Sequence, residues 1–143
     1  VELPLLSLDV VSARGLVSIE AVPVLDDRFS LAVRFDDSLL EDVNFNEADL
    51  REVDLRGTRS VRNSWFVGVR ADRAQFDGLD LSGIRFDKAR LSFSSMRGAR
   101  LAAAALRGAK LRKANLTDAV LDGADLRDAE MHNVRMTGAS VGR

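Results

Sequence analysis

The residues that could carry out chemistry are few, and the acidic ones follow a regular pattern. His132 is the single histidine of the 143 residues and there is no cysteine, so neither a thiolate nucleophile nor a Cys-based or multi-His zinc site is available. Four aspartates stand immediately before a large apolar residue: Asp49, Asp54, Asp80 and Asp125. A short carboxylate beside a corner usually accepts hydrogen bonds from backbone N–H groups. We therefore expect these aspartates to stabilise turns rather than to act as general acids or bases or to bind calcium.

Two further observations argue against an enzyme. His132 directly follows Met131, a place that we expect to face solvent, which favours an ordinary surface histidine over a general base. Gly98 and Gly108 lie ten residues apart, whereas a phosphate-binding loop needs clustered glycines. The sequence therefore predicts no catalytic residue, no cofactor and no metal.

The composition is that of a globular domain, with 46% apolar and 30% charged residues. The longest apolar run, Leu101 to Leu106, is far too short to span a membrane. A net charge of −1 gives no general attraction to nucleic acid or to anionic lipid. The first residues do not resemble a signal peptide, so we expect a cytoplasmic protein without membrane or direct nucleic-acid contact. The start at Val1 indicates processing or a fragment of a longer chain.

An apolar residue recurs at every fifth position from Phe35 to Leu55 and, after one inserted residue, from Val61 to Val141. A second series two residues earlier is almost entirely small or β-branched; Leu79 is its one larger apolar member, and only Arg59 breaks it. Neither a helix nor a strand brings every fifth residue to one face. The period instead favours a short straight side followed by a corner. Eight of the ten glycines fall at the corner, where positive φ is expected.

Units such as Ala48-Asp49-Leu50, Val53-Asp54-Leu55 and Ala124-Asp125-Leu126 resemble the A-(D/N)-L-x-x unit of pentapeptide-repeat proteins. The resemblance covers residues 33–143. It implies an all-β fold, a right-handed quadrilateral parallel β-helix with four units per coil, so that the 22 units make about 5.5 coils. The small residue of each unit leaves room for the four large side chains that converge on the axis.

The first 32 residues do not follow the repeat. Leu6–Val11 and Val17–Val24 have strand-like patterns, and the residues between them, 12–15, are typical of a turn. We expect a hairpin that caps the first coil, because the end of a stacked core needs a cover. The alternative is that this segment is the tail of a missing domain.

Residues 20 apart become neighbours on one side of such a rod. One column gathers the basic residues Arg70, Arg90 and Lys110, flanked by Arg73, Arg112 and Lys113. Four acids on the same side could neutralise it: Asp49, Glu52, Asp72 and Glu130. Both a partner-binding basic face and a self-neutralised face remain open at this point. Trp65, Val67 and Phe93 also point outward and are candidate contact residues, although Trp65 could instead cover the corner distorted by the insertion at 56–61.

The charges alternate along the axis, with an acidic band at 36–54, a basic band at 97–113 and a second acidic band at 118–130. Bands of opposite sign suit a protein partner better than a phosphate backbone, which needs one sign throughout. We therefore predict a non-enzymatic protein-interaction or scaffold module. The resemblance implies an alternative, because some members mimic B-form DNA and modulate or protect DNA gyrase. The basic middle band departs from the continuous acidic surface that this mechanism needs.

The repeat continues to Val141 with no amphipathic segment after it. The last coil would therefore expose its apolar face and its strand edges. We expect end-to-end association through Met136 and Val141, either in a homodimer or with another protein. The resemblance implies the same, because many members of the family dimerise through their C-terminal ends.

Overall fold

The computed structural model describes residues 18–24 and 28–143, with side chains from residue 35 onward. Strand β1, Ser18–Val24, pairs in antiparallel fashion with strand β2, Arg28–Arg34. The predicted strand Val17–Val24 is thus largely present, but the partner that the structure gives it follows it in the chain. The other predicted strand, Leu6–Val11, lies outside the described residues. A capping role for the first 32 residues stays a prediction.

Strand β2 extends into the first unit of the repeat. Val33, the first small residue of the repeat, lies inside β2 and pairs with Ile19 of β1. A small or β-branched residue suits a strand as well as it suits the inside of a coil. The division of the chain after residue 32 stays a prediction.

From Phe35 onward the chain forms a four-sided coil in which residues about 20 apart are joined by parallel β-bridges. We name each side by its column of bridged residues. The tryptophan side and the basic side, which follow each other along the chain, consist of Asn44, Trp65, Arg85, Ala105 and Asp125, and of Asp49, Arg70, Arg90, Lys110 and Glu130. The polar side comes next, with Asp54, Gln75, Ser95, Asn115 and Arg135. The fourth side has two bridged sets, Leu39 with Ser60, and Asp80 with Arg100, Val120 and Ser140. The described residues contain no helix long and apolar enough to cross a membrane.

The core is the axis of this coil. Every large apolar residue of the series from Phe35 to Leu121 is almost completely buried. On the tryptophan side, the ring centroids of Phe45 and Phe66 lie 4.8 Å apart and those of Phe66 and Phe86 lie 5.2 Å apart. These separations match the spacing of neighbouring strands. The inward register predicted from the sequence is therefore confirmed.

Serine replaces alanine or valine at three of the small inward positions without leaving a buried polar group unpaired. The hydroxyl of Ser64 donates to the carbonyl of Leu40 at 2.5 Å, and the hydroxyl of Ser94 donates to that of Leu91 at 2.7 Å. The Ser38 hydroxyl donates in the same way within its own turn. Because each hydroxyl has a backbone acceptor, burial costs little free energy.

Every described corner except the one at Gly57 is a β-turn whose third residue has positive φ, between 55° and 72°. The turn is closed by a hydrogen bond such as that from the Val53 N–H to the Leu50 carbonyl, at 3.2 Å. Seven of the eight corner glycines adopt this conformation, as predicted. At Gly98, where φ is 63°, no atom lies within 4 Å of the place of an added Cβ, so only the backbone conformation favours glycine.

The inserted residue is Arg59. Thr58, only 6% exposed, occupies the small inward position, while Arg59 bulges outward between Thr58 and the bridged Ser60. The sequence pattern had assigned the inward position to Arg59, and that assignment is wrong because a threonine fits the axis and an arginine does not. Gly57, in the same corner, is the one corner glycine without positive φ.

The inward register predicts opposite outcomes for two adjacent substitutions. Leu111→Asp places a carboxylate on the buried axis without a partner, so we expect loss of the cooperative unfolding transition. Arg112→Asp changes an exposed turn residue, and the melting temperature should stay within about 3 °C of the wild-type value. Circular dichroism during thermal unfolding measures both. Equal melting temperatures for the two variants would refute the register.

Candidate interaction surface

The regularly spaced aspartates bind the corners, as predicted. Each accepts a hydrogen bond from the backbone N–H two residues later: Asp49 at 3.3 Å, Asp54 at 3.0 Å, Asp80 at 3.1 Å and Asp125 at 3.2 Å. Three of them also hold the guanidinium of an arginine in the same turn: Arg51, Arg56 and Arg127. Among the described residues, no group of three or more His, Asp or Glu could hold a metal ion.

Asp125 is the most strongly perturbed of these carboxylates. Its oxygens accept hydrogen bonds from Nε of Arg127 at 2.8 Å and from Nη2 at 2.6 Å. Nε of Arg107 lies 3.3 Å away and adds a second positive charge. The hydrogen bonds from Arg127 stabilise the ionised form and lower the pKa of Asp125 to about 2. Asp125 therefore stays ionised at any physiological pH and holds its turn through Arg127, an arrangement that we call the turn lock.

The basic side is largely self-neutralised. Each of four cations on this side or its corners lies within ion-pair distance of an acid: Arg70 and Asp49 at 3.8 Å, Arg73 and Glu52 at 3.6 Å, Arg90 and Asp72 at 3.3 Å, and Lys110 and Glu130 at 3.8 Å. Exposed pairs of this kind add little stability, but they cancel the repulsion between stacked cations. Of the two alternatives, the structure favours the solvated, neutralised face.

The predicted contact residues do not form one patch. Trp65, 40% exposed, lies on the tryptophan side. It does not cover the corner at Arg59, because that corner joins the polar side to the fourth side. Val67 is half-buried at the corner between the tryptophan and basic sides, and its N–H donates to Oδ1 of Asn46 at 2.8 Å. Phe93 lies at the far end of the basic side, at the corner between the basic side and the polar side.

That corner, which we call the Phe93 corner, consists of Arg73, Phe93, Lys113 and Asn133 in successive coils. The Phe93 ring is 50% exposed and has cations at 5.6 Å, from Arg73, and at 5.5 Å, from Lys113. Within the described part of the chain, neither Lys113 nor the adjacent Arg112 makes an ion pair. His132 is exposed in the coil above, as expected. The corner therefore combines exposed aromatic surface with positive charge that is not neutralised.

A surface groove of about 640 Å³ adjoins this corner on the polar side. It is lined by Phe93, Ser94, Ser95, Lys113, Asn115, Asn133 and Arg135. Sequence reasoning found Phe93 and Lys113 but missed the other five. The signal was present in the column 20 residues apart that carries Gln75, Ser95 and Asn115, all polar and uncharged.

Comparison with known proteins agrees with this geometry. The family model for pentapeptide repeats matches residues 32–59, 64–102 and 99–138 with eight copies. The chain belongs to the pentapeptide-repeat family. A search of curated proteins gave no significant match.

Solved structures of pentapeptide-repeat proteins share the fold. Rfr23 from the cyanobacterium Cyanothece 51142 has 26% sequence identity and a TM-score of 0.62, over 66% of this chain and 64% of Rfr23. This chain thus spans less than two thirds of that protein. A trypsin-treated variant of QnrB1, a plasmid-mediated fluoroquinolone resistance protein, has 18% identity and a TM-score of 0.53, over 76% of this chain and 66% of its own. The predicted fold class, an all-β right-handed quadrilateral β-helix, is confirmed.

In this pentapeptide-repeat coil, the turn lock at Asp125 predicts a pH effect. The folded-state pKa of Asp125, about 2, lies below the ordinary value of about 3.9. Its ionised form therefore contributes stability above about pH 4, and the contribution is lost as the pH falls toward 2. We expect Arg127→Ala to raise the titration midpoint of Asp125, followed by NMR of the carboxyl carbon. Arg51→Ala, which removes a matching lock elsewhere, is the control and should leave it unchanged. An unchanged midpoint in Arg127→Ala would contradict the assigned cause.

Proposed function

We propose that this pentapeptide-repeat chain is a non-enzymatic protein-interaction or scaffold module that binds its partner at the Phe93 corner. The observation that carries the proposal is the conformation of Phe93, whose φ is 61°. A left-handed conformation costs an ordinary residue roughly 1–2 kcal/mol, and glycine avoids this cost. Seven corners of the described coil use glycine in this conformation, and of the thirteen that use another residue with positive φ, only Phe93 carries an aromatic ring. A bulky ring at such a position, half-exposed to water, supports a role outside folding.

The fold fixes the backbone that carries this ring. The N–H of Phe93 donates to the carbonyl of Arg112 at 2.9 Å, and the next residue, Ser94, donates its N–H to the carbonyl of Leu91 at 3.2 Å. The Ser94 side chain is buried and bonded to the same carbonyl. A contact residue whose backbone is already fixed loses less conformational freedom when it binds. The fixed backbone therefore favours Phe93 over a residue of a flexible loop as an anchor.

The charge pattern favours this module over the gyrase-directed DNA mimic that the family resemblance also implies. A DNA mimic needs an uninterrupted run of free carboxylates, because the phosphate backbone that it imitates carries continuous negative charge. Within the acidic band at 36–54, Glu52 pairs with Arg73, and Asp49 pairs with both Arg51 and Arg70. These cations neutralise part of the band where a DNA mimic would need negative potential.

Photo-crosslinking tests the proposal. We expect p-benzoylphenylalanine at position 93 to give one discrete adduct in a lysate of the source organism, because Phe93 lies at the contact. The matched control is the same replacement of Ala103, which is also exposed and has φ of 55° in another corner. Mass spectrometry identifies the adducts. Equal adduct patterns from the two positions would contradict the proposal, and a discrete adduct with a gyrase subunit would establish the alternative.

End-to-end association stays a prediction. In the last coil, Leu126, Met131 and Met136 are only partly buried and Val141 is 63% exposed. Apolar side chains beside open strand edges favour packing against a matching edge. We expect sedimentation velocity to show a dimer at high micromolar concentration, and Met136→Arg with Val141→Arg to convert it to monomer. A wild-type chain that stays monomeric would rule out the homodimer.

A further inference from the structure

We infer that the groove beside Phe93 binds a short acidic peptide segment that carries an apolar side chain. This inference rests on the proposed function, because it names the chemistry of the partner at the same corner. The groove is lined by one aromatic ring, two cations and uncharged polar side chains, with no acid among them. Each of these features selects a different part of the ligand.

The cations of the groove select negative charge. Lys113 and Arg135 line it, and Arg112 stands next to Lys113 on the same corner. Within the described residues none of the three makes an ion pair, whereas the cations of the neighbouring basic side pair with acids of their own column or corner. Positive charge that the protein leaves unneutralised at one place is complementary to carboxylates of a partner.

The uncharged residues of the groove select a polypeptide backbone. Oδ1 of Asn115 accepts hydrogen bonds from the N–H of Thr117 at 3.1 Å and from its hydroxyl at 2.7 Å. This network turns the carbonyl end of the Asn115 amide toward Thr117 and leaves the NH₂ end to donate. Asn133 offers a second amide in the next coil. Amide donors of this kind suit the carbonyl groups of an extended peptide.

Phe93 selects the apolar side chain. Lys113 is both a lining residue and the cation 5.5 Å from the ring centroid. One ligand can therefore place a carboxylate on Nζ of Lys113 and a neighbouring apolar side chain against the exposed part of the ring. Aromatic residues and arginine are enriched at interfaces, and the Phe93 ring has Arg73 5.6 Å from its centroid as well as Lys113.

A nucleic-acid strand fits the same charge less well. A phosphate backbone needs cations in every coil that it crosses. The column of the polar side begins with Asp54 and reaches a cation only at Arg135, with uncharged residues between them. Acids such as Asp118 and Asp128 occupy corners of the same rod. The observations favour a short acidic segment over an extended polyanion.

Fluorescence anisotropy with synthetic probes tests the inference. The probes are a labelled Glu-rich nonapeptide with a central Leu, its Lys-rich counterpart, the Glu-rich peptide with a central Gly, and a single-stranded DNA 12-mer. We expect the Glu/Leu peptide to bind about tenfold more tightly than each of the other three. Phe93→Gly and the double variant Lys113→Glu with Arg135→Glu should each weaken its binding about tenfold or more. Phe93→Gly removes a strained residue and should remain folded.

The matched control is Lys88→Glu, an exposed lysine at the same turn position of another corner. Unchanged binding in Lys88→Glu supports the groove as the site. Equal weakening in Lys88→Glu, or DNA binding as tight as that of the Glu/Leu peptide, would overturn the inference in favour of general attraction to anions. Absence of peptide binding also overturns it. If no peptide binds but position 93 still gives a discrete crosslink, the proposed interaction at the Phe93 corner stands without the peptide inference. The two hypotheses can therefore fail separately.

Discussion

Each coil brings four large apolar side chains to one narrow axis, and parallel bridging forces the next coil to place its own four directly above them. The stacked rings of Phe45 and Phe66, 4.8 Å apart, show how closely the side-chain spacing follows the strand spacing. Packing at this density favours a small second residue in each unit and accommodates a large one in only a few, such as Leu79 beside Leu81. The requirement for a small inward residue, the period of five and the tight turn at every corner all follow from it.

The same constraint separates the inside of the rod from its outside. Inward positions are fixed in size, whereas outward positions of successive coils are neighbours whatever their type. The surface is therefore organised in columns 20 residues apart, and its electrostatics are decided within and between columns. Arg73 illustrates this, because it pairs with Glu52 in the coil before it and lies over Phe93 in the coil after it. On such a rod, a binding surface is formed by residues 20 apart in the chain rather than by a local sequence motif.

The division also explains what could be predicted from the sequence. The inward series could be predicted because burial imposes one rule on every unit, and even the exceptions, Ala71 at a large position and Leu79 at a small one, are buried. The exact place of the insertion was not readable by counting. A bulge could fall anywhere between Leu55 and Val61, and only the size of the inward slot selects Thr58 over Arg59.

The candidate site could be predicted only where residues 20 apart become neighbours, as for Phe93, which lies between the cations Arg73 and Lys113. The groove could not be predicted, because it depends on the direction of side chains. Asn115 lines the groove, and its NH₂ group is available to donate only because Thr117 donates to the carbonyl end of the same amide.

The turns connect the fold to its proposed function. Thirteen residues other than glycine adopt positive φ at the corners, which they would rarely do in isolation. They persist because a corner inside the stack is held by ladder hydrogen bonds on both sides and is followed by a buried small residue. A conformational cost at one corner is therefore carried by the whole stack and does not unfold it. This tolerance lets a corner hold a residue chosen for binding, and Phe93 is the largest residue that uses it.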